Sequence, residues 1–343
     1  MKNLKEDYYN PFFSHIYVEK SIRKHVRTQR ILEQFPKANV VEIEHYKDVF
    51  CRKGQNYTLQ HKSQNLILAA KKGNLIYQGA PVCQSFGNEH FYYTSCMMNC
   101  VYDCEYCYLK GMYPSGNLVV FVNLEDYFEK IVEILKQHSM YLCISYDTDL
   151  LAFESVLGYT SEWISFQEKN PNLQLEIRTK STGLLHFSCL KPVSGIIFAV
   201  TLSPQTVIDA YEHGTPSFDM RLSCVAEAQK KGFSVRLCFD PMIYCPDWEM
   251  QYAEMINQVC LKIDMAHIKD VSIGTFRVSR EYLKKMRKDN PNSAIVQFPY
   301  ENIGGVCQYS RELSDQMENF LFMRLKEKVN ETQIFLWEKE NEI

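Results

Sequence analysis

The sequence predicts an α/β fold, an open or partial barrel built from about six βαβ units, on two observations. From about residue 90 onward, short apolar runs of strand length alternate with segments of helical period. The crossovers between those runs are long enough for parallel pairing. The chain has 343 residues, 46% of them hydrophobic and 23% charged, enough for one large core or two modest ones.

Taken in order, residues 1–90 mix short strands with a helix and are expected to pack on the barrel as an N-terminal α/β extension. The barrel proper is expected over 91–310, and a closing helix and tail over 311–343. FYYTS (91–95) reads as a strand leading into a cysteine-rich loop. NLEDYFEKIVEILKQH (123–138) reads as a helix with Asn123 at its N-cap, its apolar residues recurring at three and four. Strands follow at YLCISY (141–146), LQLEIRT (173–179), GIIFAVTL (195–202), FSVRLCFDP (233–241) and KDVSIGTF (269–276). Between and after them, helices are expected over 161–169, 218–232, 247–260 and 311–329, with Gly232 closing the second. Functional sites in such folds form at the C-terminal ends of the strands, where the cysteine loop also falls.

Composition narrows the function classes. The hydrophobic content excludes a disordered chain. No apolar run approaches the ~20 residues a bilayer crossing needs, and MKNLKEDYYNPFF at the N-terminus lacks a signal-peptide core. A cytoplasmic enzyme without a membrane partner is expected. In that compartment the scattered cysteines (Cys51, Cys83, Cys189, Cys224, Cys260) read as small buried hydrophobes rather than a disulfide framework. The net charge of −3 gives no overall attraction to nucleic acid. Locally, Lys20, Arg23, Lys24, Arg27 and Arg30 in EKSIRKHVRTQRI form a basic helical segment, read as a solvated face, with a phosphate-backbone contact as the alternative.

The stretch CMMNCVYDCEYCYL (96–109) places four cysteines within twelve positions. Cys100, Cys104 and Cys107 give C-x3-C-x2-C. No second CxxC knuckle follows, so a zinc site would have to draw its fourth ligand from Cys96. Three soft thiolates on one loop suit a [4Fe–4S] cluster with one iron left open to another ligand. Cys96 then reads as a bystander thiol.

This spacing, with the aromatic Tyr106 before the last cysteine, resembles the radical S-adenosylmethionine superfamily, which implies a partial (β/α)6-type barrel. The flanks resemble the spore photoproduct lyase family in particular. The likeness runs through QNYTLQHKSQNLILAAKKG (55–73), CEYCYL (104–109), Val120–Asp126 and YDTD (146–149). It continues in Arg178–Lys180, Glu212–Arg221, Asp240–Tyr244, Trp248–Glu249 and Ile303–Gly304, almost the whole chain.

The resemblance implies that Cys100, Cys104 and Cys107 hold the cluster. It places Lys180, Thr201 and Thr148 at S-adenosylmethionine, and Tyr106 and Tyr108 in returning a hydrogen atom to that cofactor. It further implies cleavage of the methylene-bridged thymine dimer in DNA, with an electron donor such as ferredoxin or flavodoxin. Two positions depart from the family pattern. Tyr146 stands where the family carries a cysteine that quenches the product radical, which makes Tyr146, Cys238 or Cys307 the candidate donor; Cys143 is expected on the opposite sheet face. Tyr300 and Glu301 stand where a basic residue and an aromatic meet DNA, leaving Tyr300 to stack on a base. These departures keep open a sibling radical enzyme acting on another lesion or a small metabolite. A zinc-stabilised binding protein is the remaining alternative.

Overall fold

Eight strands pair edge to edge in one sheet of the computed structural model, which describes residues 13–79, 83–183 and 192–337. Their order is Ile334–Leu336, Asp270–Thr275, Ser234–Met242, Ile196–Thr201, Leu173–Thr179, Met140–Cys143, Phe91–Thr94 and Ile76–Gln78. Every neighbouring pair is parallel except the last, where Ile76–Gln78 runs antiparallel to Phe91–Thr94. The central strands are buried on both faces, as Ile196–Thr201 and Asp270–Thr275 show along their whole length. Burial on both faces is why they read as continuous apolar runs. Six of the parallel strands are those expected from the sequence, and the sheet is open at both edges.

Two strands depart from their expected form. Met140–Cys143 stops short of 146, so Tyr146 lies beyond the sheet, where face alternation no longer applies. Ser145 replaces the missing ladder: its Oγ accepts from Arg178 N at 2.7 Å and donates to Arg178 O at 2.9 Å. Ile334–Leu336, after the closing helix Arg311–Leu325, adds a seventh parallel strand that its three residues were too short to announce.

A second sheet has the order Asn39–Ile43, His15–Glu19, Leu66–Ala69, Leu118–Phe121, Met97–Met98, with only the last pair antiparallel. One continuous apolar core joins the two sheets. The cysteine loop therefore leaves from Phe91–Thr94 in the first sheet and ends in Leu118–Phe121 in the second.

The helix Leu124–Leu135 buries Leu124, Tyr127 and Ile131 at the expected spacing. Asn123 occupies its N-cap position, but its amide does not cap. It instead accepts from Lys71 N at 2.8 Å and donates to Lys71 O at 3.0 Å, tying down the turn after Leu66–Ala69.

The basic segment is solvated at Lys20, Lys24 and Arg30 as expected, but Arg27 is drawn in. Arg27 bonds to Glu162 at 2.7 Å, to Val122 O at 2.9 Å and to Glu125. Arg30 meets Glu162 at 3.2 Å, and Lys20 and Arg23 pair with Glu44 and Glu42. Arg27 and Arg30 dock the helix Val26–Glu33 onto Glu125 and Glu162, and the four named cations are locally compensated. The scattered cysteines also differ from expectation. Cys224 is buried, Cys51 is exposed, Cys83 and Cys260 are half-buried, and Cys189 lies outside the described residues.

Candidate active site

The cysteine loop is shaped from below by the segment 55–65. Asn99 takes a left-handed φ of +67°, and its amide donates at 2.7 Å to both Ser115 O and Asn117 O. Tyr57 donates to Asn99 Oδ1 at 3.2 Å. The Cys100 carbonyl is met by His61 Nε2 and Gln64 Nε2, each at 3.1 Å. Farther along, Asp103–Cys104 pairs antiparallel with Glu212–His213, and Lys110 closes on Asp103 at 2.6 Å. The loop is thus pinned at both ends before any metal arrives.

Cys100, Cys104 and Cys107 are all reduced and at most partly exposed. Burial pushes all three thiols up, that of Cys104 to about 12, while Lys180 works in the other direction on Cys104 and Cys107. Buried thiolates need a compensating positive charge, which iron supplies. Among the described residues no three His, Cys, Asp or Glu side chains converge as they would on one metal ion. A cluster seats its thiolates on different irons, so the donor set fits a cluster better than a single zinc. Cys96 is fully buried in the core.

The strand ends around the loop are organised by the YDTD segment. Asp147 accepts from Ser95 Oγ at 2.6 Å. Asp149 accepts from Thr179 Oγ1 and from Lys180 N, both at 2.7 Å. Between these two anchored side chains, the buried Thr148 Oγ1 has no hydrogen-bond partner, as suits a hydroxyl meant for a ligand. The Lys180 ammonium sits 5.4 Å over the Tyr106 ring. Burial opposes its charge, but Glu212 and the thiols of Cys104 and Cys107 hold its pKa above the ordinary value. A cation beside the thiols can receive a carboxylate.

Glu212 is the hub the sequence reading did not assign. Its carboxylate accepts from Tyr106 Oη, from Ser203 Oγ at 2.9 Å and from Arg221 at 2.5 Å. Arg221 also donates to Thr201 O at 3.2 Å and Thr215 Oγ1 at 2.6 Å. Burial would raise the Glu212 pKa, but Arg221 and Lys180 hold it down at about 2. The signal was present in EHGTPSFDMR, where a carboxylate and an arginine flank a Gly-Thr-Pro turn that folds them together. Thr201 ends its strand beside Cys238.

Tyr146 meets the loop through Tyr108. Tyr108 Oη donates to the Tyr146 carbonyl at 2.6 Å. The Tyr146 ring stacks on Tyr93, centroids 4.2 Å apart at 29°. Cys238 is buried within Ser234–Met242, and Cys307 lies in the outlying hairpin strand Val306–Gln308. The thiol that meets the Tyr146 hydroxyl is Cys83, at 3.4 Å.

The family model described as Spore photoproduct lyase matches residues 14–296. The chain belongs to the spore photoproduct lyase family. Relatives named spore photoproduct lyase include one from Geobacillus sp., 22% identical over half of this chain and 52% of that protein. Another, from Bacillus subtilis, is 18% identical over 83% of this chain and 85% of that protein. Among solved structures, a tyrosine-to-phenylalanine variant of spore photoproduct lyase aligns at a TM-score of 0.81, with 16% identity over 96% of this chain and 99% of that one. A cysteine-to-alanine, serine-to-cysteine double variant, with bound AdoMet and dinucleoside spore photoproduct, aligns over the same shares at 0.79 and 16% identity. At such identities the structures give the fold.

Within this family member the remaining expected contact lies on an outlying hairpin. Glu301–Ile303 pairs with Val306–Gln308 across Gly304 and Gly305, both at positive φ. Glu301 is exposed. The Tyr300 ring packs among Phe276, Phe298 and Tyr309, with centroids 5.1–5.2 Å away.

Proposed function

We propose that this protein is a radical S-adenosylmethionine lyase that cleaves the methylene-bridged thymine dimer of DNA back to two thymines. The observation that carries this reading is the loop of three thiols at the C-terminal end of a parallel strand, Cys104 buried and Cys100 and Cys107 half-buried, with the Lys180 charge acting on Cys104 and Cys107. Cys100, Cys104 and Cys107 would hold a [4Fe–4S] cluster, and Lys180, Thr148 and Thr201 the methionine end of S-adenosylmethionine. When bound, these groups would supply the one-electron radical chemistry needed to act on the dimer's saturated ring. The protein's own part is positioning. Asp149 fixes the Thr179–Lys180 strand end, and Glu212 fixes Tyr106 under the Lys180 ammonium. Tyr108, bonded to the Tyr146 backbone, links the cluster loop to the substrate side.

The partners that follow are DNA containing a thymine photoproduct and a one-electron donor such as ferredoxin or flavodoxin. Among the described residues no helix is long and apolar enough to cross a membrane, which is consistent with work in the cytoplasm. A second reading, a sibling enzyme acting on another lesion, is favoured by Tyr146 in place of a thiol and by Glu301 on the exposed hairpin.

The test is anaerobic. Reconstituted protein is given dithionite, S-adenosylmethionine and a synthetic dinucleotide spore photoproduct, and chromatography follows released thymidylyl-thymidine. Release supports the lyase reading. Formation of 5′-deoxyadenosine with the dimer left intact transfers the protein to the second reading.

A further inference from the structure

The reading above needs one electron to reach the cysteine loop from another protein, and the residues that shape the loop from below bring it close to a surface. His61 is buried and its Nε2 meets the Cys100 carbonyl at 3.1 Å, while the next residue, Lys62, is exposed. Tyr57 stacks on His61, centroids 5.8 Å apart at 25°. Burial, and then the charges of Cys107, Cys100 and Cys104, hold the Tyr57 phenol protonated, so its hydroxyl lies within electrostatic reach of all three thiols. One layer of side chains therefore separates the loop from solvent here.

That surface is basic by composition. No Asp or Glu occurs from Val49 to Asn88, although the chain carries 41 of them. Within this stretch Arg52, Lys53 and Lys62 are exposed, and none of the three has an ion-pair partner among the described residues. Arg27 and Arg30 differ in this respect, since their charges meet Glu125 and Glu162. The short helix Tyr57–His61 buries Tyr57 and His61, four residues apart, and turns Leu59 and Lys62, three apart, outward. Leu59 is 63% exposed. Gln55 ties the Arg52 turn to this helix, donating to Arg52 O at 2.8 Å and accepting from Gln60 Nε2 at 2.8 Å. The helix rests on Gly116, where a Cβ would come within 2.5 Å of Tyr57 O and 2.7 Å of His61 N. Lys285 adds a cation 5.7 Å from the Tyr57 ring centroid. Asp103 of the loop is already taken up by Lys110 at 2.6 Å. An exposed leucine beside unpaired cations suits a transient acidic partner.

We propose that Arg52, Lys53 and Lys62, with Leu59 beside them, form the docking surface for an acidic one-electron carrier protein of the ferredoxin or flavodoxin class. The proposal rests on the lyase reading above. Each encounter oxidises the carrier by one electron and reduces the cluster at the thiols by one, with no bond made and no proton required. Duplex DNA would present the same sign of charge. What favours the carrier is the single layer of side chains down to Cys100, which an electron needs and a phosphate contact does not.

The test compares reductants. Reconstituted enzyme with S-adenosylmethionine is driven by dithionite, by a pre-reduced bacterial flavodoxin or by a pre-reduced bacterial ferredoxin, and 5′-deoxyadenosine is followed. Reversing Arg52→Glu, Lys53→Glu and Lys62→Glu together should leave the dithionite rate within about twofold of wild type, while the carrier concentration for half-maximal rate rises at least about tenfold. Added salt should weaken the carrier-driven reaction of wild type and spare the dithionite reaction. The same charge change made at the exposed Lys24, Lys37 and Lys136 should have less than about a threefold effect. A carrier requirement within about twofold of wild type in the first variant, an equal rise in the second, or failure of both carriers to drive wild type would each overturn the proposal. So would a fall in duplex DNA affinity of at least about tenfold with the carrier requirement unchanged, which would assign the surface to phosphates.

A second readout needs no turnover. Carbodiimide coupling of flavodoxin carboxylates to the wild-type enzyme, read by mass spectrometry, should join Lys53 and Lys62; links confined to other lysines would refute the assignment. If dithionite yields no 5′-deoxyadenosine in wild type, the lyase reading fails, while these links still judge the docking surface.

Discussion

Replacing Glu212 by Gln removes one charge from an ion pair whose two side chains are both 0% exposed. The shape is kept, and the amide oxygen still accepts from Tyr106 and Ser203. What is lost is the anion facing Arg221 and Lys180. The carboxyl is held at about 2 against its ordinary 4.5. At ~1.4 kcal/mol for each tenfold change in proton affinity, that is worth about 3 kcal/mol of stability. Breaking a buried ion pair from one side costs about 3–5 kcal/mol, so two independent routes give the same size. The sign is fixed by the direction of the shift. A depressed carboxyl contributes fully above pH 4.5 and loses its contribution as pH falls toward 2. Urea unfolding of the cluster-free protein should therefore show Glu212→Gln about 3 kcal/mol less stable at neutral pH. The gap should shrink to a few tenths of a kcal/mol near pH 2, where about half of the wild-type carboxyl is protonated, and close below it. A gap below about 1 kcal/mol, or one that does not change with pH, would refute the reasoning.

Three further outcomes are expected. Asn99→Ala forces a Cβ-bearing residue without a side-chain amide into φ +67° and strips donors from two buried carbonyls. A loss of about 3 kcal/mol in thermal or urea unfolding is expected, with Asn99→Gly recovering only the backbone part. Cys96→Ala should retain iron and sulfide at wild-type content, whereas Cys100→Ala, Cys104→Ala and Cys107→Ala should each lose the brown visible absorbance. Glu301→Lys puts a cation on the exposed hairpin, and titration with duplex DNA at two salt concentrations should show a salt slope steeper by about 0.9.

The parallel strands were legible because burial on both faces leaves an uninterrupted apolar run, and the cluster ligands because their spacing is local. What escaped was set by partners distant in sequence. Arg27 looks solvated until Glu125 and Glu162, 98 and 135 positions away, come to meet it. Cys83 looks like filler until the fold brings the residues before Phe91–Thr94 against Tyr146. Glu212 and Arg221 lie close in sequence and were quoted as part of the likeness. Their role needed the burial that turns an ordinary charge pair into a fixed support for Tyr106. Strands of two or three residues, such as Met97–Met98 and Val306–Gln308, carry too few side chains for any period to be read.

The loop bearing Cys100, Cys104 and Cys107 starts from one sheet and returns through the other. Whatever occupies the thiols therefore ties Phe91–Thr94 to Leu118–Phe121. By mass action, ligation that requires the folded loop raises the free energy of every opening that would break it. Amide hydrogen exchange should accordingly slow on cluster assembly in Leu66–Ala69, which contributes no ligand but is paired with Leu118–Phe121. Iron loading then acts as a clasp between two halves of the molecule, and its removal should be felt first in the N-terminal sheet.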